Sequence, residues 1–236
     1  MNQWTLFRLS VLIAFFPVLT FQGCAPVYVP NAYHVHQLDD SGDFSGGIYT
    51  GTNGLDVQAA YALNNSIFVF GAGSFDNSDY SSEDSYQSHR YVEGGVGYFK
   101  PFSKFGRFEF LGGLGFGSSE ASSKYFFFEP DEVTAKGNYS RVFIQANNGM
   151  EREHFDIGMA LRLAHVSFGE FETTSSVYEG ANSSVFFEPM LYVNVGWEKV
   201  KFVTQIGISD PLIDDLSFGY EPLFFSIGLK GNFRSK

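Results

Sequence analysis

The residues best suited to covalent chemistry lie in the run Arg162-Leu163-Ala164-His165-Val166-Ser167. In an extended strand, His165 and Ser167 point to the same face because side chains alternate with a period of two. A histidine that accepts the proton of a serine hydroxyl activates that oxygen for acyl transfer. The sequence therefore contains a candidate acyl-transfer pair, and the elements around it determine what the pair can reach.

The strongest structural signal near this pair is an alternating hairpin over residues 183–209. From Val185 to Trp197 every second residue is apolar, whereas the residues between them include Glu188 and Asn194. After the polar pair Glu198-Lys199, a second run places these side chains on one face: Val200, Phe202, Thr204, Ile206 and Ile208. Its other face carries Lys201, Val203, Gln205 and Gly207. This pattern predicts two antiparallel strands that share one apolar face.

The same alternation continues along the chain from residue 44 onward, in a composition typical of an all-β protein. The 236 residues include 26 Gly, 28 Phe and 13 Tyr, and no long segment repeats apolar residues at helical spacing. We count about ten strands, with about eight as the alternative because Phe44–Thr50 is a weak strand.

The predicted connections between these strands differ in length. Short turns fall near Asn64, Lys104, Asn148 and Glu198, and longer polar loops cover residues 75–88, 118–136, 169–182 and 210–218. Short turns at one end and long loops at the other are typical of membrane barrels. We therefore predict a closed up-and-down antiparallel transmembrane β-barrel over residues 44–236.

The composition of the two strand faces indicates which one is inside. The less apolar face is rich in glycine and alanine, which suit the crowded interior of a narrow barrel better than a solvated surface. It also carries charges of both signs, which we predict to form ion pairs in the lumen: Asp56, Glu93, Arg107, Glu109, Arg141, Asp156, Arg162, Glu188, Lys201 and Lys230. Buried charges are tolerated when they are paired.

Aromatic residues support the same orientation. Trp197, Tyr61, Tyr98 and Phe233 lie at strand ends on the apolar face, where the interfacial girdle of a membrane barrel is found. Other aromatic residues have inward parity: Phe143, Tyr192 and Phe224. We therefore predict a lumen filled by side chains, with a narrow channel as an alternative.

The N-terminal region has the features of an export signal. Residues 1–23 contain Arg8 and the apolar run Leu9–Phe21, which is too short to span a bilayer comfortably, and we interpret them as a signal peptide. The sequence Phe21-Gln22-Gly23-Cys24 resembles a lipobox, so Cys24 is the predicted lipidation site, carrying acyl chains such as palmitate. Residues 24–43 are then a lipidated linker, and we interpret His34 and His36 within it as part of a solvated tether rather than a metal site.

From Cys24 to Phe233 the pattern resembles the small lipid-anchored outer-membrane β-barrel proteins of Gram-negative bacteria. This resemblance implies location in the outer membrane, contact with its lipid, and a structural or interaction role through the extracellular loops, with an unknown protein or ligand as partner. Such proteins often end in an aromatic residue, whereas here Phe233 is followed by Arg234-Ser235-Lys236.

The run from Arg162 to Ser167 is similar to the Arg-x-x-His-x-Ser motif of outer-membrane lipid A deacylases. That resemblance implies a serine esterase whose catalytic residues are His165 and Ser167, with Glu179 as the downstream acidic partner. Phe168 stands where the motif has an asparagine. We keep the deacylase as an alternative and predict a protein without enzymatic activity.

Composition disfavours several other classes. The formal net charge of −11 disfavours a nucleic-acid partner. The single cysteine cannot form an internal disulfide, and no Cys/His cluster has the spacing of a zinc site. We predict neither a metal nor a cofactor.

Overall fold

The computed structural model describes residues 26–80, 85–123, 133–174, 180–213 and 215–235. In these ranges the regular structure is a single antiparallel sheet. Its strands are β1 (Phe44–Gly51), β2 (Gly54–Ala62), β3 (Ile67–Tyr80), β4 (Ser85–Pro101), β5 (Gly106–Ser123), β6 (Val133–Glu151), β7 (Phe155–Thr173), β8 (Ser183–Gly196), β9 (Val200–Ile208), β10 (Asp210–Pro211) and β11 (Leu223–Phe233). No helix within the described ranges is long and apolar enough to cross a bilayer.

The sheet closes into a ten-strand barrel. From β1 to β9 each strand pairs with the next along the chain, and β11 pairs with both β9 and β1. The closing seam runs from the pair Phe44–Phe233 to the pair Gly51–Ser226. The two-residue β10 continues β9 after Ser209 and pairs with β8. The predicted closed barrel is confirmed with ten strands, and the alternative of eight is wrong because β1 and β2 are both fully paired.

The predicted assignment of the two faces is also confirmed. Leu191 and Ile206 are 56% and 54% exposed on the outer wall, whereas Glu188 and Lys201 are 0% and 3% exposed. A solvated protein rarely carries so many exposed large apolar side chains in one contiguous belt. This apolar exterior is the arrangement of a transmembrane barrel.

The apolar belt has the height of a lipid bilayer. On β7 its outward residues run from Phe155 to Leu163, and on β5 they run from Phe108 to Phe116. A tilted strand needs about 9–11 residues to cross the hydrocarbon layer, and both runs match this length. Aromatic side chains are exposed where the strands meet the short turns, with Trp197 at 75%.

Several strands continue far beyond the belt, and the predicted loop boundaries were wrong there. β3 extends to Tyr80 and β4 begins at Ser85, so most of the expected loop 75–88 is a paired hairpin. β5, β6 and β7 likewise extend into the expected loops 118–136 and 169–182. Outside the bilayer the outward positions become polar, so the apolar alternation ends while the backbone ladder continues.

A second boundary was wrong at Asn148-Gly149, which resembles a two-residue turn. Both residues lie within β6, where Gly149 pairs with Gly158 of β7, and the turn falls at residues 152–154. A side chain at Gly149 would place its Cβ 1.9 Å from the Tyr192 hydroxyl. The glycine therefore makes room for the Tyr192 ring inside the barrel instead of forming a turn.

The two ends of the barrel differ. The turns 63–66, 102–105, 152–154 and 197–199 lie at one end, called the short-turn end, together with the start of β1 and the end of β11. The connections that follow β3, β5, β7 and β10 lie at the opposite end, called the loop end. This polarity positions the residues inside the barrel.

Candidate functional site in the barrel lumen

The lumen is filled by the chain's own N-terminal segment, called the plug (residues 27–38). All of its side chains are buried, including His34 at 0% and His36 at 3% exposure. The interpretation of these residues as a solvated tether was therefore wrong. The physical reason can be seen in the sequence, because residues 25–38 contain no charged side chain and are mostly apolar, unlike solvated linkers.

Asn31 of the plug lies at the centre of the lumen charges. Its Nδ2 donates to Glu93 Oε1 at 2.5 Å, and its Oδ1 accepts a hydrogen bond from Arg141 Nη2 at 2.5 Å. Arg141 and Glu93 also form a direct ion pair at 2.5 Å. His34 Nε2 lies 2.8 Å from Glu93 Oε1. One plug amide thus bridges both members of a buried ion pair, which satisfies charges that would otherwise be costly to bury.

Tyr28 of the plug binds a second buried ion pair, formed by Arg162 and Glu188. Arg162 Nε donates to Glu188 Oε2 at 2.5 Å, and the Tyr28 hydroxyl donates to Glu188 Oε1 at 2.8 Å. The Arg162 guanidinium also stacks on Tyr33, 4.0 Å from the ring centroid. The plug therefore supplies both a hydrogen-bond donor and an aromatic face to this pair.

Closer to the short-turn end, the plug backbone takes over this role. The N–H groups of His36 and Gln37 donate to the Glu109 carboxylate, at 3.2 and 2.6 Å. Lys230 donates to the Gln37 side chain. Nearer the loop end, where β2 begins, the N–H of Ala32 likewise donates to Asp56 at 2.9 Å. These buried charges are satisfied by the plug and by neighbouring amides rather than by opposite charges.

Seven of the ten predicted lumen residues form ion pairs, and the other three bind the plug or neighbouring amides. Ion pairs join Arg141 to Glu93, Arg162 to Glu188, Lys201 to Asp156, and Arg107 to Asp39 and Glu151. Within the described ranges, Asp56, Glu109 and Lys230 form no ion pair within 4.0 Å. The alternation of the strands does not indicate the plug as their partner, although the plug's lack of charge was a usable signal.

At the short-turn end, a network of ion pairs lies across the lumen. Arg234, just after β11, pairs with Asp39, Asp43 and Glu151 at 2.6, 3.1 and 2.6 Å. Burial alone would raise the pKa of the Asp43 carboxyl. Several hydrogen-bond donors outweigh this effect, so the pKa lies below its ordinary value. Those donors are the backbone N–H groups of Ser235, Asp39 and Asp40 and the Arg234 guanidinium.

At the loop end, the lumen is closed by packed aromatic rings. Tyr28 packs on Tyr139 and Phe186, with ring centroids 6.1 and 4.6 Å apart. Phe218, from the connection between β10 and β11, packs on Phe168 at 4.5 Å. This connection thus folds across the opening and forms one buried cluster with the plug.

The candidate esterase residues lie on the opposite side of the wall. His165 is exposed and Ser167 half-buried, both facing outward at the edge of the apolar belt, and Glu179 lies outside the described residues. In the part of the chain that the structure describes, no hydrogen bond joins His165 to Ser167. Ser167 lines an open groove of about 620 Å³ with Gly117, Asn138 and other residues, but His165 does not line it.

Metal binding has little support from the described residues. His34 and His36 are 5.5 Å apart between ring centroids, but no group of three His, Cys, Asp or Glu side chains in the described ranges could hold a metal ion. Cys24 and the predicted signal peptide lie outside the described residues.

Comparison with known proteins adds a likeness of shape. No family model and no curated protein matches the chain. Among solved structures, the translocator domain of autotransporter NalP from Neisseria meningitidis has a TM-score of 0.49 and 10% identity, covering 82% of this chain and 86% of that one. Ail, the attachment invasion locus protein of Yersinia pestis, has a TM-score of 0.37 and 11% identity, covering 82% and 99%. Neither value shows a family, and the fold described above stands on the chain's own pairing and burial.

Proposed function

We propose that the protein is a non-conducting outer-membrane β-barrel that acts through its loop end, in a structural or interaction role. The observation that carries this proposal is the plug, which is buried along its length and bound to charges on every side of the lumen. A pore needs a continuous polar opening, whereas among the described residues side chains lie across the lumen at both ends. A narrow channel is therefore the weaker alternative.

The apolar belt supports the membrane location. Its height fits a bilayer, and exposed aromatic side chains lie toward both of its ends, with Trp197 and Phe233 at the short-turn end and Phe75 and Phe225 toward the loop end. In outer-membrane barrels the short turns face the periplasm and the longer connections face outward. By this rule the loop end of the present barrel is extracellular.

The loop end offers a rigid surface for an interaction partner. The projecting parts of β4 to β7 are paired strands whose outward side chains are polar, including Arg90, Glu120, Lys136, Glu170 and Glu172. Their inward side chains, such as Ala135 and Phe168, pack into the buried cluster below the connection after β10. A surface held by a backbone ladder loses little conformational entropy on binding.

The proposal includes lipidation of Cys24 after removal of residues 1–23. The support comes from the sequence, because the only cysteine lies three residues after Phe21, where the short apolar run ends. Mass spectrometry of the purified protein tests this part. An N-terminus without acyl mass would contradict it.

The absence of conduction is tested in planar bilayers. We expect the wild-type protein to give no steady conductance, and a variant lacking residues 27–38 to give an ion conductance. A matched variant, Tyr28→Ala with Tyr33→Ala, keeps the segment but weakens its contacts, and should give intermittent openings. Heat-dependent migration in detergent gels identifies the folded barrel in each sample. Steady conductance of the wild type, or a folded plug-free barrel that does not conduct, would contradict the proposal.

A further inference from the structure

We infer that the chain threads its own barrel from the loop end to the short-turn end, so that it enters the barrel at Pro26 from the extracellular side. Which end is extracellular rests on the proposed function, whereas the direction of threading rests on the contacts of the plug. A periplasmic lipid tether would instead require the plug to start on the periplasmic side of the barrel.

The first residues of the plug are bound at the loop end. The N–H groups of Val27 and Tyr28 donate to the carbonyl of Gly219, at 3.0 and 3.2 Å. Tyr28 also forms a parallel β-bridge with Tyr220, and the carbonyl of Tyr28 accepts a hydrogen bond from the N–H of Glu221 at 2.9 Å. These partners belong to the connection between β10 and β11, so the plug enters the lumen beneath that connection.

The middle of the plug contacts the middle of the wall. Asn31 binds Glu93 of β4 and contacts Arg162 of β7, and the Tyr33 N–H donates to Gln205 of β9 at 2.9 Å. These wall residues are inward-facing positions well inside their strands. The sequence of contacts therefore advances from the loop end as residue number increases.

The last residues reach the short-turn end. Gln37 binds Glu109, three residues after the start of β5, and contacts Asn194 near the end of β8. The N–H of Gly42 donates to the carbonyl of Ala62, and Asp39 pairs with Arg107. The chain then turns into β1, which begins at this end and runs back toward the loop end.

The length of the plug agrees with a single passage. An extended chain spans at most about 3.3–3.6 Å per residue, so the plug reaches up to about 40 Å. The hydrocarbon core of a bilayer is about 30 Å thick. The segment thus crosses the full depth of the barrel once, without doubling back.

The consequence concerns the predicted modification at Cys24. Two peptide units, of at most about 7.6 Å in total, separate its Cα from that of Pro26. An acyl group on Cys24 would therefore lie on the loop-end side of the barrel, whereas a periplasmic tether would place it on the short-turn side.

Thiol labelling of intact cells with a membrane-impermeant maleimide tests this inference on the full-length protein. The test variant is Ala25→Cys. Glu120→Cys, on an exposed strand at the loop end, is the matched surface control, and Ser103→Cys, in an exposed short turn, is the periplasmic control. The wild type gives the background from Cys24. We expect Ala25→Cys and Glu120→Cys to be labelled equally on intact and permeabilised cells, and Ser103→Cys to lose its label on intact cells.

The possible outcomes separate the two proposals. Labelling of Ala25→Cys only after permeabilisation, with Glu120→Cys labelled on intact cells, overturns the threading inference and leaves the membrane orientation in place. Labelling of Ser103→Cys but not Glu120→Cys on intact cells overturns the proposed orientation itself. No label on Ala25→Cys even after denaturation would mean that the mature chain begins after this residue, and overturns the surface placement of Cys24.

Discussion

The Tyr28 hydroxyl donates to Glu188 Oε1 at 2.8 Å, between the plug and the wall of β8. Both side chains are fully buried. Hydrogen bonds to buried charged groups contribute about 1.5–3 kcal/mol, and we expect Tyr28→Phe to lower the free energy of unfolding by that amount. Urea unfolding of the protein refolded in detergent micelles measures it.

The plug contains a matched control for this change. Tyr33→Phe removes a hydroxyl that has no hydrogen-bond partner in the described structure. Because the substitution removes an unsatisfied buried polar atom, we expect it to leave stability unchanged or slightly raised. Equal losses for the two variants would show that the hydrogen bond to Glu188 does not determine the effect.

Buried and exposed ion pairs should respond differently to loss of one charge. Glu93→Gln leaves Arg141 buried without its counter-ion, and breaking such a pair costs about 3–5 kcal/mol. Glu120→Gln removes one member of the exposed pair with Lys136, whose N–O distance is 3.5 Å, and should cost less than about 1 kcal/mol. Denaturant midpoints of the two variants give the comparison. A small loss for Glu93→Gln would contradict the central role of Asn31 and its charged neighbours.

The stability of the short-turn end should depend on acid. Because the folded-state pKa of Asp43 is lowered, its contribution is fully present above the unfolded-state pKa, near 3.9, and is lost as the pH falls through the lower folded value. We expect the stability difference between wild type and Asp43→Asn to be constant from pH 7 to 5 and to shrink below pH 4. Asp40→Asn is the control, and an unchanged difference at pH 3 would contradict the prediction.

Glycines on the inner wall should differ from those on the outer wall. A Cβ at Gly95 would lie 2.1 Å from the carbonyl oxygen of Gly112, whereas a Cβ at Gly169 would meet no atom within 4 Å. We expect Gly95→Ala to lower the free energy of unfolding by about 1–3 kcal/mol, with no loss for Gly169→Ala. Similar denaturant midpoints for both variants would contradict the packing described here.

The outward pair His165 and Ser167 should be catalytically silent. No hydrogen bond activates the serine in the described structure, so incubation with lipid A should release no fatty acid. Chromatography of the lipid products is the measurement. Release that is abolished by Ser167→Ala would restore the esterase alternative, whereas release that survives the substitution would indicate another source.

Period-two alternation was sufficient to predict the wall of the barrel. Leu191 and Glu188 differ only in parity, and lipid on one side and a crowded lumen on the other separate them as expected. Strand ends were less predictable, because beyond the bilayer nothing requires the outward face to be apolar. The ladder from Asp76 to Tyr80 therefore looked like a loop.

The plug could not be recognised from periodicity, since its backbone forms no strand of the barrel. Its side chains contact the wall in all directions, so that apolar and polar residues follow each other without a period. Only its composition distinguished it from a linker. Asp56, Glu109 and Lys230 were predicted to form ion pairs, whereas in the described structure they are buried with partners that come from this non-periodic segment.

The plug precedes every strand of the barrel in the sequence and lies inside the closed barrel, which constrains the order of assembly. Among the described residues, salt bridges lie across one opening and packed rings lie across the other, so a segment inserted afterwards would have to displace them. The first and last strands therefore have to pair while the plug already lies between them in the lumen. The pairing of Phe44 with Phe233 is then the step that encloses the N-terminal segment within the barrel.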